Sequence, residues 1–409
     1  MVKKVKIDDP GQLAELVKWA LAEEQTLDFL AGGSKADWGR PGTANYLVDL
    51  SGFSGITLYE PDELIITVRA GTRLTEIEGL LAENSQGLAF EPPETAGIFR
   101  SAPGRQTIGG VIACNLSGPR RLKAGAARDH LLGFDAISGR GESFQAGGKV
   151  VKNVTGYDLC KLFCGSFGTL GILGEMTLKV LPAAERTRTL MLQGLPTEDA
   201  RAALAAAAGG LFEVAGLAHL PAAAAARSSV SYVRDAGAAI TAIRLEGSPV
   251  SLEYRLTTLR EAMAPLADLE ELHSHNSTML WQEIGEAAPL LPNDAALIWK
   301  ISATPSSGPG IAADIVRHCG GEAIFDWAGG LIWLALPDAG ESDPGWAGAV
   351  RRALGSEGHA TLLRAAAEVR AAVEVFQPQP SALATLQMRV KDSFDPRRIL
   401  NPGRMYADI

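Results

Sequence analysis

Four cysteines in 409 residues are too few for a disulfide framework. Cys160 and Cys164 lie four apart in GYDLCKLFCGSFG and share a face if that stretch is helical. With no second pair near them they read as buried core thiols, and no spacing fits an iron–sulfur cluster. Histidine is also scarce, six in all. His273 and His275 in ELHSHNS are the one close pair; on a strand they would share a face, but further ligands are not in view, so no metal site is expected. Positive charge is short as well: 38 Lys and Arg against 47 Asp and Glu give a net charge of −9, which argues against a broad nucleic-acid surface. No apolar run is long enough to span a bilayer, and VKKVKIDDPG after Met1 contains no signal region, so a cytoplasmic protein is expected. Neither a G-x-G-x-x-G fingerprint after a first strand nor a Walker loop is present, which sets aside a nicotinamide Rossmann domain and a P-loop nucleotidase.

What is present is an apolar fraction of 46%, enough for a packed core in two domains. DPGQLAELVKWALAEE reads as a helix capped by Asp9 with Pro10 in its first turn. YLVDLS and GITLYEPDELIITVRAG read as short strands, and RLTEIEGLLAENSQ places Leu74, Ile77, Leu80 and Leu81 on one helical face. DHLLGFDAISGRGESFQAGG reads as a hairpin turning at SGRGE, and LGILGEMTLKVLP as a strand stopped by Pro182. Beyond Pro182 the chain becomes alanine-rich. TEDARAALAAAAGG and PAAAAARSSV are helix candidates, and AAITAIRLEG, AALIWKISA and GGLIWLALP are core strands. This alternation predicts a second α+β domain with one covered sheet face.

Four glycine segments demand a common explanation: AGGSK, TIGG, NLSG and GSFGTLGI. Glycine lets a ligand approach the backbone, and successive N–H groups in tight turns make an anion nest. Together with PGRQTIGGVIACNLSGPRR, AARDHLLGFDAISGRGE and FDPRRILNPGRM, these segments resemble the FAD-linked oxidases of the vanillyl-alcohol-oxidase type. More narrowly, the chain resembles the FAD-binding subunits of bacterial glycolate oxidase, most closely over about residues 27–182 and 373–406.

The resemblance implies an α+β fold. A two-part FAD-binding domain spans 1–182, divided near residue 100. An α+β cap spans 183–372, and the segment 373–409 returns to the FAD domain. It implies that Gly32, Gly33, Ser34 and Lys35 wrap the FAD diphosphate and that Thr107, Gly109 and Gly110 line the diphosphate and ribityl region. Asn115, Ser117 and Gly118 would lie near the isoalloxazine, Gly168, Gly171 and Ile172 at the adenosine half, and Lys152 and Asn153 against the flavin. The first glycine loop, AGGSKADWG, has no histidine for covalent attachment, so non-covalent FAD is expected.

The implied role is electron transfer in a glycolate or D-lactate dehydrogenase complex. Electrons would pass from a homologous FAD-containing catalytic subunit toward an iron–sulfur subunit, and any membrane contact, at the inner face of the plasma membrane, would run through these partners. The alternative is a stand-alone 2-hydroxy-acid dehydrogenase. That would need a base and a carboxylate clamp drawn from Tyr254, Arg255, His273, His275, Trp281, Lys300 and Trp333. Arg120, Arg121 or Lys123 beside the glycine run would stabilise negative charge on reduced flavin or attract a carboxylate, or else form a solvent-facing turn. No catalytic residue stands out from the sequence.

Overall fold

Asp9 begins the first helix in the manner its residue type dictates. In the computed structural model, which describes residues 3–149, 156–292, 297–337, 345–356 and 358–409, the Asp9 carboxylate accepts from the Gly11 and Gln12 N–H groups at 2.8 and 3.1 Å. Pro10 opens the helix Pro10–Ala22. Leu13, Val17 and Ala20, spaced for one face, bury against a parallel three-stranded sheet in which Tyr46–Asp49 lies between Lys3–Lys6 and Leu27–Leu30. Val48, Leu50, Ile137, Ile172, Ile399 and Leu400 join the same core. A second, antiparallel sheet of five strands follows in the order Ile56–Glu60, Ile65–Arg69, Gly171–Lys179, Leu131–Ser138 and Ser143–Gly147.

The chain divides into two units. The first holds Met1–Ser117, Gly125–Ala183 and Pro378–Ile409; the second holds Gly118–Ala124 and Ala184–Gln377. Two boundaries differ from the sequence reading. Gly118–Ala124 leave the 101–182 stretch for the second unit, because the Gly118 carbonyl accepts the Trp327 indole N–H at 3.1 Å and Arg120 pairs with Glu246 at 3.1 Å. The later crossing falls at Pro378 rather than 373, since the Val375 carbonyl accepts the Leu362 N–H and Arg351 donates to the carbonyls of Glu374 and Phe376.

The second unit is built on eight antiparallel strands. Their order is Asp268–His273, Arg186–Gln193, Ile240–Gly247, Gly216–Leu220, Glu322–Asp326, Leu331–Leu336, Leu297–Ser302 and His359–Arg364. Strand side chains alternate, so each register fixes two faces. One carries Leu190, Leu192, Leu217, Ile243 and Leu245, packed on the helices Thr197–Gly209 and Pro249–Met263. The other carries polar groups, among them Arg244, Lys300 and Ser302, with Trp333 directly across from Lys300. PAAAAARSSV yields only a single helical turn, Ala222–Ala225, because Pro221 and Ser228–Ser229 bracket it. His273 and His275 do not share a strand face: the strand ends at His273 and a helix starts at Ser274. Among the described residues no helix is long and apolar enough to cross a membrane, and no group of three or more His, Cys, Asp or Glu is placed to hold a metal.

Candidate functional site

Three of the four glycine segments converge on one cleft in the first unit. It is lined by Gly32, Gly33, Ser34 and Lys35, by Thr107, Gly109 and Gly110, and by Gly168, Gly171 and Ile172. Leu27–Leu30 delivers the first loop, and Gly33 sits at φ +70°, a left-handed turn that glycine adopts without strain. A Cβ on Gly32 would overlap the Arg105 carbonyl, so this loop runs flush against its neighbour. Thr107 caps the helix Ile108–Ala113, its hydroxyl accepting from Gly110 N–H at 3.4 Å. Gly165 and Phe167 donate backbone N–H groups to the Ile112 and Ala113 carbonyls, which fastens the GSFG turn beside that helix.

Lys35 supplies the charge. Its ammonium donates to Gln106 Oε1 at 2.7 Å and to Ser34 Oγ at 3.2 Å. Burial pushes its pKa below the usual lysine range, with Cys114 and Glu94 acting in the opposite direction. A cation held in a shallow-walled glycine cradle is matched to an elongated diphosphate, where backbone can approach closely and one ammonium neutralises charge. These residues therefore fit the phosphate-bearing part of FAD.

The C-terminal tail completes the cleft, and the sequence reading had not placed Asn401 there. Asn401 donates from Nδ2 to the Phe167 carbonyl at 2.8 Å, accepts from Phe29 N–H at 3.0 Å, and gives its own N–H to the Leu27 carbonyl at 2.8 Å. Arg404 donates to the carbonyls of Lys35 and Ala36 at 3.0 and 2.8 Å. Both residues line the cleft. Upstream, the buried Lys391 ammonium holds Asp395 at 2.7 Å together with the carbonyls of Thr169 at 2.6 Å and Leu400 at 3.1 Å. The asparagine-proline-glycine turn was the available signal: its polar side chain joins the strand Leu27–Leu30 to the turn at Phe167.

Asn115, Ser117 and Gly118 stand outside this lining. Asn115 Oδ1 accepts Arg128 N–H at 3.2 Å, Ser117 Oγ accepts Ala127 N–H at 3.0 Å, and Gly118 belongs to the second unit. Lys152 and Asn153 lie outside the described residues. Cys160 and Cys164 are buried, and burial raises both thiols, Cys160 to about 11, so neither is a ready thiolate.

Of the cap residues weighed for a substrate site, most have structural work. Arg255 donates to the carbonyls of Phe212, Glu213 and Glu246, and Trp281 donates to Thr189 Oγ1 at 2.8 Å. His273 lies 3.5 Å from Glu271, while His275 and Tyr254 are exposed. Arg120 pairs with Glu246 and Lys123 with Glu213 at 3.8 Å. Lys300, Trp333 and Arg121 are different: Lys300 lies over the rings of both Trp327 and Trp333, and Arg121 over Trp327.

Comparison with known proteins shows the family and the fold. The FAD binding domain family matches residues 4–147. The glycolate oxidase subunit GlcE of Escherichia coli is 33% identical over 397 residues, covering 97% of both chains. The glycolate oxidase subunit GlcD of Bacillus subtilis is 38% identical over 134 residues, 33% of this chain and 27% of that one. The fold is shared with 4-ethylphenol oxidase from Gulosibacter chungangensis, at 14% identity and a TM-score of 0.70 over 99% of this chain and 89% of that one. It is shared equally with an alkyldihydroxyacetonephosphate synthase, at 15% identity and 0.68 over 98% and 75%. The chain thus has an α+β FAD-binding fold of the vanillyl-alcohol-oxidase type with a separate cap, and it belongs to the family of the glycolate oxidase subunit GlcE.

Proposed function

We propose that this chain is the FAD-binding, electron-transferring subunit of a glycolate or D-lactate dehydrogenase complex. It would receive electrons from a homologous flavin subunit and deliver them toward an iron–sulfur subunit. The observation that carries the reading is the near full-length match to a glycolate oxidase subunit. When bound, FAD supplies the redox chemistry; the chain holds and orients it. In this reading Lys35 neutralises the diphosphate, and Gly32, Gly33 and Gly110 let it lie against backbone. Asn401 and Arg404 tie the first loop to the tail, so the cradle keeps its shape. Asn115 and Ser117, in the same unit but outside the cradle lining, would lie toward the isoalloxazine end. FAD is held without a covalent bond, since the loop Ala31–Gly39 offers no histidine. Acid precipitation is expected to leave the flavin in the supernatant; flavin carried down with the pellet would refute this.

The role is tested by rapid mixing of the isolated chain and the reconstituted complex with glycolate and D-lactate. The isolated chain is expected to have its flavin reduced far more slowly than the complex turns over. Reduction at the turnover rate would favour direct dehydrogenation by this chain.

A further inference from the structure

A hollow of about 310 Å³ lies on one face of the five-stranded sheet in the first unit. That volume falls at the lower end of small-molecule sites, which run from about 300 to 1,000 Å³. Register assembles its floor from neighbouring strands. Asp135 stands across from Gln145, and Ile137 stands across from both Ser143 and Ile172, so strand alternation turns these side chains to the same side. Pro10 and Leu13, from the start of the helix Pro10–Ala22, and Phe53 wall the hollow in. Leu13, Phe53, Ile137 and Ile172 are buried. Ser143 and Gln145 are exposed on the edge strand and leave that side open.

One charged side chain enters these apolar surroundings. Asp135 is half-buried, and its Oδ1 accepts the Glu175 N–H at 2.7 Å. Gly174 makes the room, since a Cβ there would sit 2.0 Å from Asp135 Oδ1. Burial pushes the Asp135 carboxyl above the usual carboxylate range; the Glu175 N–H opposes the shift, and the Glu175 charge adds to it. Among the described residues no cation enters that balance. Arg69, which stands across from Glu175, is engaged at the wall: it lies over the Phe53 ring at 5.6 Å and donates to the Ser54 carbonyl at 3.4 Å. A carboxylate drawn out of water without an opposite charge is costly, and a cation carried in by a ligand would offset that cost.

We propose that this hollow binds a small primary ammonium compound with an apolar stem. Asp135 receives the ammonium as a charge-assisted acceptor, and Leu13, Phe53, Ile137 and Ile172 enclose the stem. The exposed Ser143 hydroxyl and Gln145 amide offer oxygens to the remaining N–H groups. The hollow and the glycine cleft share one lining residue, Ile172. The site goes beyond the electron-transfer role and stands without it, since binding requires no oxidation.

The test is calorimetric titration of the FAD-loaded chain with benzylamine at neutral pH, where the amine is protonated. Benzyl alcohol keeps the stem without the charge, and methylamine keeps the charge without the stem. Benzylamine is expected to bind at least tenfold more tightly than either. Asp135→Asn keeps an acceptor for the Glu175 N–H but removes the charge, and is expected to weaken benzylamine about 10–100-fold, the loss of a charge-assisted hydrogen bond. Ser143→Trp fills the open side and leaves the carboxylate in place; it is expected to weaken benzylamine at least tenfold, and it carries the test should Asp135→Asn melt low. Asp62→Asn, which removes an exposed carboxylate elsewhere in the unit, leaves binding unchanged. Melting and flavin content are measured alongside. No binding of benzylamine by the wild-type chain, benzyl alcohol binding as tightly, or a folded Asp135→Asn or Ser143→Trp chain that binds like wild type would each overturn the site. None of these results bears on the rate comparison that tests electron transfer.

Discussion

Gly109 and Gly110 are adjacent in sequence yet should respond oppositely to substitution. Gly109 is buried, and its N–H donates to the Ala70 carbonyl at 2.9 Å. A Cβ there would sit 2.7 Å from both Ala70 Cβ and Ala70 O. Backbone on both sides cannot yield cheaply, so Gly109→Ala carries an overpacking cost of about 1–3 kcal/mol. A helical Gly→Ala gain of about 1 kcal/mol offsets part of it. At Gly110 the added Cβ would meet Lys35 Cε at 3.3 Å, the far end of a flexible side chain. Gly110→Ala should therefore melt at or slightly above wild type. Gly110→Val adds branches that push Lys35 from its hydrogen bond with Gln106. The diphosphate then loses a charge-assisted partner worth about 1.5–3 kcal/mol, or about 10–100-fold in FAD affinity. The assay is thermal melting of the FAD-stripped chain, followed by fluorescence titration with FAD. A net 1 kcal/mol corresponds to about 2–4 °C in a domain of this size. Gly109→Ala is expected to melt lower, and Gly110→Val to melt near wild type but hold FAD poorly. Gly109→Ala melting with wild type, or Gly110→Val retaining full flavin, would refute the assignment of one glycine to packing and the other to the cofactor.

Lys35→Met is expected to weaken FAD binding by about 10–100-fold, while the FAD-stripped protein melts no lower, because the ammonium carries a burial penalty in the empty cleft; unchanged FAD affinity would remove Lys35 from the diphosphate site. Lys391→Met strands the buried Asp395 carboxylate and is expected to cost about 3–5 kcal/mol in urea unfolding, with Lys391→Met/Asp395→Leu recovering part of the loss; additive effects of the two changes would show that the pair is not coupled. In the cap, burial lowers His219 from 6.5 to about 4. The unfolded chain therefore takes up the proton first as pH falls, and the stability tied to the neutral ring is present above pH 6.5 and lost toward pH 4. The total is up to about 3 kcal/mol, and His219→Gln should flatten the cap's unfolding midpoint against pH; an unaltered slope would show that His219 titrates normally.

How much of this was legible depended on the range over which each signal acts. The Asp9 cap, the Ile77 and Leu81 helical face and the SGRGE hairpin are local, and their residue types dictate the backbone wherever the chain goes. The glycine loops were legible because only glycine tolerates the Gly32 approach and the turn at Gly33. The histidine pair left its backbone undecided, because a two-residue strand pattern says nothing about the helix that begins at Ser274. What could not be read was convergence. Asn401 is 372 residues from its Phe29 partner, and a polar residue in a proline-glycine turn looks the same whether it faces water or closes a cleft.

Gly118–Ala124 make the same point more sharply. Two arginines after a glycine run read most simply as an addition to the cofactor loop, since they adjoin it in sequence. The structure separates them by partner. Arg120 is neutralised by Glu246, whereas Arg121 is stacked on Trp327, a residue more than two hundred positions later whose left-handed backbone no propensity would forecast. A strained residue is chosen by what it contacts rather than by its own preference, so the sequence signal at Trp327 points away from the conformation it adopts. The cap cations are therefore visible only once register sets Lys300 against Trp333 and the hydrogen bond from the Trp327 indole to the Gly118 carbonyl sets Trp327 beside Arg121.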